Sequence, residues 1–207
     1  MATRKVVEEV AAKVNIPLTV GGGVSSVDDV RSLLLSGADK VSMNTGAFRN
    51  PDLIEESAHR FGEQCVVVAI DANLNAQTGR YEVMLQGGKV GTGTDAVEWA
   101  KRAASLGAGE VLLTSFRQDG TRAGYDLELT RAIAGSIHIP VIASGGAGAK
   151  EHFYDVLTEG LADAALAASV FHFAETSVRD VKSYLRERGC LYDGWNKVRD
   201  RFSCGSL

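Results

Sequence analysis

Apolar positions change period along this chain in a regular rhythm. Val6, Val7, Val10, Ala11 and Val14 recur at helical spacing, which predicts an opening amphipathic helix. A short strand from Pro17 to Val20 follows. Ser26 then stands where it can cap a helix carrying Val27, Val30, Leu33 and Leu34, and Gly37 where a left-handed residue ends one. Next come a strand from Val41 to Asn44, a helix opened by Asn50-Pro51 with Leu53, Ile54 and Ala58 on its apolar stripe, and an unbroken apolar strand from Val66 to Ile70. Strands that lack alternation are those of parallel sheets buried on both faces.

The rhythm breaks after Asp71. Gln77-Thr-Gly79 and Gln86-Gly-Gly88 bracket the alternating run Tyr81 to Leu85, so a small β-hairpin is expected after the strand, where insertions shape a ligand mouth. The alternation of elements then resumes: a helix from Thr94 to Leu106, a strand Val111 to Thr114, a helix Leu127 to Ile133 and a strand Val141 to Ala143. A helix His152 to Leu157, a strand Ala165 to Ala168 and a helix Val178 to Leu185 complete it. Six strands are each followed by a helix.

Two passages are variants of one another. Ile16-Pro-Leu-Thr-Val-Gly-Gly-Gly23 runs on to Gly37-Ala-Asp-Lys-Val-Ser-Met-Asn-Thr45, and Ile139-Pro-Val-Ile-Ala-Ser-Gly-Gly146 to Ala162-Asp-Ala-Ala-Leu-Ala-Ala-Ser169. Each reads as strand, glycine turn, helix, Ala-Asp, second strand and a small polar ending, which makes them an internal repeat. Four βα steps separate the two Ile-Pro starts at about 31 residues each, the size of a βα unit. Right-handed crossovers repeated so evenly predict the α/β class and a (β/α)8 barrel of the TIM type, with six of its eight units present. On this reading residues 1–189 are a partial barrel and 190–207 a tail, and roughly 50 to 60 residues bearing two strands and the helix between them are expected ahead of Met1. A doubly wound open sheet is the alternative, because six parallel strands also suit that fold.

Bulk properties narrow the function without naming it. A chain of 207 residues that is 45% hydrophobic can bury one sizeable core, and a net charge of -4 argues against nucleic acid as a partner. No run of about 18 apolar residues is present and Met1 to Lys5 leads into an amphipathic stretch, so neither a membrane span nor a signal peptide is expected and the location expected is cytoplasmic. Cys65, Cys190 and Cys204 lack metal-ligand spacing, as do His59, His138, His152 and His172, so no metal and no cofactor is expected. Cys65, just ahead of a Val-Val-Val run, reads as a small packed hydrophobe.

In a barrel, chemistry gathers at the C-terminal ends of the strands. Gly22-Gly23 and Gly145-Gly146 let backbone N–H groups approach an anion, while Asn44-Thr45 and Ala168-Ser169 close the following strands where helix N-termini add positive potential. Each pair of strand ends thus makes a candidate phosphate cradle, and two matched cradles across one mouth suit a substrate phosphorylated at both ends. Alternation along Val67, Ala69 and Asp71 points Asp71 inward at the rim between them, where a carboxylate can move protons. A cap for the following loop is its alternative role. Thr114, Ser115, Asp119, Gly120 and Ser144 also fall on the rim, and Gly120, in Gln118-Asp-Gly-Thr121, is the further phosphate contact expected. At the other end Lys40 and Glu110 begin their strands facing inward, a charged floor that either packs as an ion pair or serves a function.

In order along the chain, Thr19-Val-Gly-Gly-Gly23, Gly37-Ala-Asp-Lys-Val41, Val68-Ala-Ile-Asp-Ala72, Gly107-Ala-Gly-Glu-Val-Leu-Leu-Thr-Ser115, Ala143-Ser-Gly-Gly-Ala-Gly148 and Ala164-Ala-Leu-Ala-Ala-Ser-Val-Phe-His172 resemble the cyclase subunit of imidazole glycerol phosphate synthase. The likeness spans roughly residues 4 to 189. The isomerase of the same pathway shares the barrel and the glycine cradles, but Ala-Ile-Asp-Ala and Ala-Ser-Gly-Gly-Ala-Gly are closer to the cyclase. The resemblance implies a histidine-biosynthesis lyase that takes ammonia and a phosphoribulosyl-formimino aminoimidazole carboxamide ribotide to imidazole glycerol phosphate and the free carboxamide ribotide. It also implies a glutaminase partner in a heterodimer that supplies the ammonia.

Residue by residue, the resemblance makes Asp71 the catalytic aspartate of the fifth family strand. Gly23, Asn44 and Thr45 become one phosphate site, and Gly120, Gly146, Ala168 and Ser169 the other. Lys40 and Glu110 match members of an ammonia gate, and Asp39 a partner-facing position. Family members pair the Asp71-type residue with a second aspartate on the first strand, which these residues do not include, so turnover near background is the expectation for the 207 residues alone. Phe116-Arg-Gln-Asp-Gly120 and Met84-Leu-Gln-Gly-Gly88 depart from the family's loop and hairpin, and the tail with Trp195, Lys197, Arg199 and Arg201 has no counterpart in it. The alternative function is a non-catalytic phosphate-binding or assembly module whose open edges pair with another chain.

Overall fold

Residues 4–190 are described by the computed structural model of the protein. The opening helix α1 (Arg4–Ala11) leads to β1 (Thr19–Gly21), α2 (Val27–Leu35) and β2 (Lys40–Met43), then to the short α3 (Thr45–Arg49) and α4 (Asp52–Phe61). The long β3 (Val66–Asn75) turns back into β4 (Arg80–Leu85) and β5 (Val90–Asp95), followed by α5 (Ala96–Ser105), β6 (Glu110–Ser115) and α6 (Leu127–Ala134). β7 (Val141–Ser144), α7 (Lys150–Thr158), β8 (Ala164–Leu166), the short α8 (Ser169–His172) and α9 (Val178–Glu187) complete the described residues. No helix among the described residues is long and apolar enough to cross a membrane. Cys204 and the tail from residue 191 onward lie outside the described residues, whereas Cys190 is buried in the core.

Six strands pair in parallel in the order β1-β2-β3-β6-β7-β8, each beside its predecessor. A doubly wound sheet requires that order to reverse at a switch point. Its absence makes the architecture a half-barrel of the (β/α)8 type, with β1 and β8 as its two edges.

Capping decides where the helices start. Ser26 and Asp29 form a reciprocal capping box at α2, and Asp95 and Asp126 accept N–H groups at the starts of α5 and α6. The helix expected from Thr94 begins later because residues up to Asp95 are held in β5. The first strand likewise starts at Thr19 and not at Pro17, since proline has no N–H to give a ladder and the Leu18 N–H goes to Asp39 Oδ2 at 2.7 Å.

Register assigns each residue to a face. Thr19 pairs with Lys40, Val67 with Glu110, Asp71 with Thr114 and Thr114 with Ser144. These residues therefore share the inner face, and Val41, Val66, Val68, Ile70, Val111, Leu113 and Val141 share the face under the helices. The helix-facing set is fully buried. A larger cluster gathers around β1 to β6 with α1 to α6, and a smaller one around α7, α8 and α9. Ser115 belongs to the helix-facing set, 2% exposed, which corrects its expected place on the rim. Cys65 sits in a 3-10 turn ahead of β3 and is half-buried, where a fully packed small hydrophobe was the expectation.

The expected hairpin is a larger feature. β3 does not stop at Ile70, because residues 71–75 find antiparallel partners in β4, and β4 pairs in turn with β5. The result is a three-stranded arm rising from the rim.

Candidate active site

Asp71 stands at the point where β3 leaves the parallel sheet and enters the arm, paired on one side with Thr114 and on the other with Met84. Its Oδ2 accepts from Asn44 Nδ2 at 3.0 Å. Burial raises its carboxyl above the ordinary range; the Asn44 hydrogen bond pulls the other way, and the charge of Asp119 adds to the rise. Asp71 is thus a half-buried carboxylate, poised to hold a proton more readily than a free one, with a second carboxylate close enough to repel it.

The first cradle is formed by the turn after β1 and the end of β2. Asn44, at φ -122° and ψ -97°, breaks the strand and starts α3, so its side chain swings to Asp71 while Thr45 opens the short helix. Gly46 lets that helix approach closely, since a Cβ there would run into the carbonyl of Val24. Phe48 then meets Trp99 of α5 edge-on at 5.0 Å between centroids. Thr45 Oγ1 accepts the N–H of Gln86, from the turn between β4 and β5 at the base of the arm, at 3.3 Å.

The second cradle repeats the plan. Gly146 has φ 100°, and a Cβ on it would strike the carbonyl of Gly124; the Gly124 N–H in turn donates to Gly146 O at 2.8 Å. The loop after β6, which holds Asp119 and Gly120, is thereby laid against the turn after β7. Gly120 is exposed with φ 75°. Ala168 and Ser169 start α8, and Phe171 on that helix packs on Phe153 with centroids 5.8 Å apart. The helix N-termini expected at the small polar endings of the repeat are there, but they belong to α3 and α8, short helices separate from the longer ones that follow, and each is held by a phenylalanine.

The Ala-Asp of the repeat has a structural duty in both copies. Asp39 Oδ2 accepts from Leu18 N–H, and its own N–H donates to Leu18 O at 2.9 Å. Asp163 does the same with Val141, at 2.8 Å and 2.9 Å. Each clamp fixes a strand start. Asp39 is nevertheless exposed at the floor end. Beside it Lys40 and Glu110 face inward and form an ion pair. His152 Nδ1 accepts the N–H groups of Gly148 and Ala149 and so caps α7, while His59 is exposed on α4. Among the described residues no three His, Cys, Asp or Glu side chains are grouped to hold a metal ion.

Sequence reasoning missed one polar network. Asp126, 6% exposed, accepts from Ser115 Oγ at 2.8 Å, from Tyr81 Oη at 3.0 Å and from Leu129 N at 3.2 Å. An aspartate ahead of an apolar helix is a readable cap signal; its contact with Tyr81, 45 residues away, is not. A family model described as "Histidine biosynthesis protein" matches residues 1–177.

Proposed function

From the premise that the chain belongs to the histidine biosynthesis protein family, we propose that it is of the cyclase type: a lyase that closes an imidazole ring on a doubly phosphorylated ribulosyl substrate with ammonia. The observation that carries the reading is Asp71, inward and half-buried between two glycine cradles, with its carboxyl raised by burial and by Asp119. Each cradle offers backbone N–H groups and a hydroxyl, from Thr45 in one and Ser169 in the other, to a terminal phosphate. Thr114 and Ser144, paired side by side on the inner face, are placed to meet the substrate's hydroxyls.

Asp71 delivers one proton to the ketone oxygen, which leaves as water with a second proton from the condensing ammonia. The new nitrogen then attacks the formimino carbon, the bond from that carbon to the amine of the carboxamide ribotide breaks and the amine leaves carrying a proton, and the ionised Asp71 takes up the proton that the closing ring sheds. A carboxyl raised above its usual value suits both roles, because it is protonated for a larger fraction of the time and is a stronger base when ionised. The Asn44 hydrogen bond keeps it aimed at the mouth. Ammonia enters from the floor, past Lys40 and Glu110, delivered by a glutaminase docked on the face that carries Asp39. The location is cytoplasmic in this reading.

Presenting the protein with the ribulosyl substrate and with its ribosyl isomer, each with ammonium, tests the assignment by the products formed. Imidazole glycerol phosphate is expected from the ribulosyl compound alone, at the low rate that Asp71 sustains without a second aspartate, and Asp71→Asn is expected to abolish it. Conversion of the ribosyl isomer to the ribulosyl compound, without ammonia being consumed, would assign the chain to the isomerase instead.

A further inference from the structure

We propose that Arg122 and Glu175 are positioning residues: their ion pair straps the loop after β6 to the segment after α8 and so holds the second glycine cradle in the shape that takes a phosphate. The proposal rests on the phosphate reading of Gly120, Gly146, Ala168 and Ser169.

That cradle has three walls, one from each of three neighbouring strands. Gly120 lies in the loop after β6, Gly146 in the turn after β7, and Ser169 opens α8 after β8. Each outer wall is bonded within itself. Thr121 Oγ1 donates to Gln118 O at 2.8 Å and accepts the Ala123 N–H at 3.2 Å, which ties residues 118–123 into one unit around Gly120. On the other side Phe173 N–H donates to Ser169 O at 2.9 Å and Glu175 N–H to Val170 O at 3.0 Å. Glu175 is thereby tied to the turn that Ser169 begins.

The middle wall is low enough to be crossed. A Cβ on Gly146 would meet Gln118 as well as Gly124, and one on Gly148 would strike the carbonyl and the Cβ of Arg122, so the loop after β6 lies directly on the turn after β7. From there Arg122 reaches Glu175 and pairs with it. Tyr125 joins the same two walls lower down, its hydroxyl donating to Leu166 O at 3.0 Å from a ring that is buried. The buried bond fixes the roots of the walls, and the exposed pair fixes the parts that carry Gly120 and Ser169. Arg122 and Ala174, next to Glu175, have left-handed backbones at φ 63° and 55°, which residues with side chains adopt only where their surroundings impose it.

The first copy of the repeat has no such strap. Only Asn50 and Pro51 separate α3 from α4, whereas residues 173–177 separate α8 from α9 and include Glu175. The first cradle is therefore an internal control. Charge gives the test its direction: a carboxylate near a phosphate opposes binding, so a bystander Glu175 would hinder the anion and a strap helps it.

In the 207-residue protein, inorganic phosphate is titrated while the amide signals of Gly120, Gly146 and Ser169 are compared with those of Gly23 and Thr45, and hydrogen exchange is followed at residues 119–123. Glu175→Gln is expected to speed that exchange about five-fold and to weaken phosphate at the second cradle about three-fold, with the first unchanged, a size suited to an exposed ion pair. Exchanging the charges, Arg122→Glu together with Glu175→Arg, is expected to restore both to within about two-fold of the parent. In turnover the loss falls on KM. Tighter phosphate binding by Glu175→Gln would overturn the strap, because Arg122 would then be a direct ligand that Glu175 withholds. Unaltered exchange with unaltered affinity also overturns it, as does equal weakening at both cradles, which general destabilisation produces. A parent protein whose Gly120, Gly146 and Ser169 amides ignore phosphate overturns the cradle reading, while exchange at residues 119–123 still judges the strap on its own.

Discussion

The two faces of the parallel sheet come from the same strands and are treated oppositely. Under the helices Val66, Val68, Ile70, Val111 and Val141 are fully buried and Leu113 is 1% exposed. On the inner face Ser42, Ala69, Asp71, Leu112, Thr114, Ile142 and Ser144 are only half-buried, Thr19 and Ala164 are exposed, and Val67 alone is covered. The helix layer supplies the apolar burial that holds the fold together. The inner face carries the carboxylate, the hydroxyls and the ion pair, groups whose complete burial would cost more than they return. Stability and chemistry are kept on opposite sides of one strand, a residue apart.

The sharpest way to break that contrast is to truncate neighbours. Leu113→Ala is expected to cost about 3 kcal/mol, through lost transfer energy and a cavity the helices cannot fill. Leu112→Ala, on the half-buried face, should cost about 1 kcal/mol. Urea denaturation midpoints measure both, and equal costs would mean that the inner face contributes to the core as much as the outer.

The edges sharpen the comparison further. Val6, Val10, Ile16 and Leu35 are exposed on the elements beside β1, and Leu161, Leu166, Phe173 and Val178 on those beside β8. Apolar flanks next to unpaired parallel edges favour association. The mass seen by light scattering is therefore expected to rise with concentration, and Leu166→Lys with Phe173→Lys to weaken association on the order of ten-fold. A monodisperse monomer at all concentrations removes the edges from the argument.

The smallest effect concerns Asp71 itself. Its folded value is raised from 3.8, so the stability it contributes is present at low pH and lost as pH rises through the folded value. Asp71→Asn, which can still accept from Asn44, should raise Tm by about 1–3 °C at neutral pH and lose that advantage below the ordinary aspartate value. Thermal melts across pH decide it, and a variant that is less stable at neutral pH would show that the charge is better solvated than its surroundings imply.

Much of this was legible because the repeat is local. Strand, glycine turn, helix and Ala-Asp recur, and each copy folds by the same short-range rules: a cap at Ser26, clamps at Asp39 and Asp163, left-handed glycines after the strands. Asp71's inward orientation followed from strand alternation alone. The inward charges of Lys40 and Glu110 were equally readable, though not that they meet. What escaped were elements that depend on partners distant in sequence. Residues 73–75 stay in strand because β4 pairs with them, α3 and α8 are separate short helices instead of the starts of the longer ones, and Ser115 reads as a rim residue until Asp126 claims its hydroxyl.

The amino-acid sequence by itself determined the alternation of six parallel strands with their covering helices, the barrel class, the glycine turns after β1 and β7 and the inward carboxylate of Asp71, because periodicity, capping and glycine turns act within a few residues. Tertiary structure alone decided the arm, the Tyr81–Asp126–Ser115 network and the raised carboxyl of Asp71. Those depend on which groups are brought together and how much water is excluded, and burial is a property of the assembled sheet.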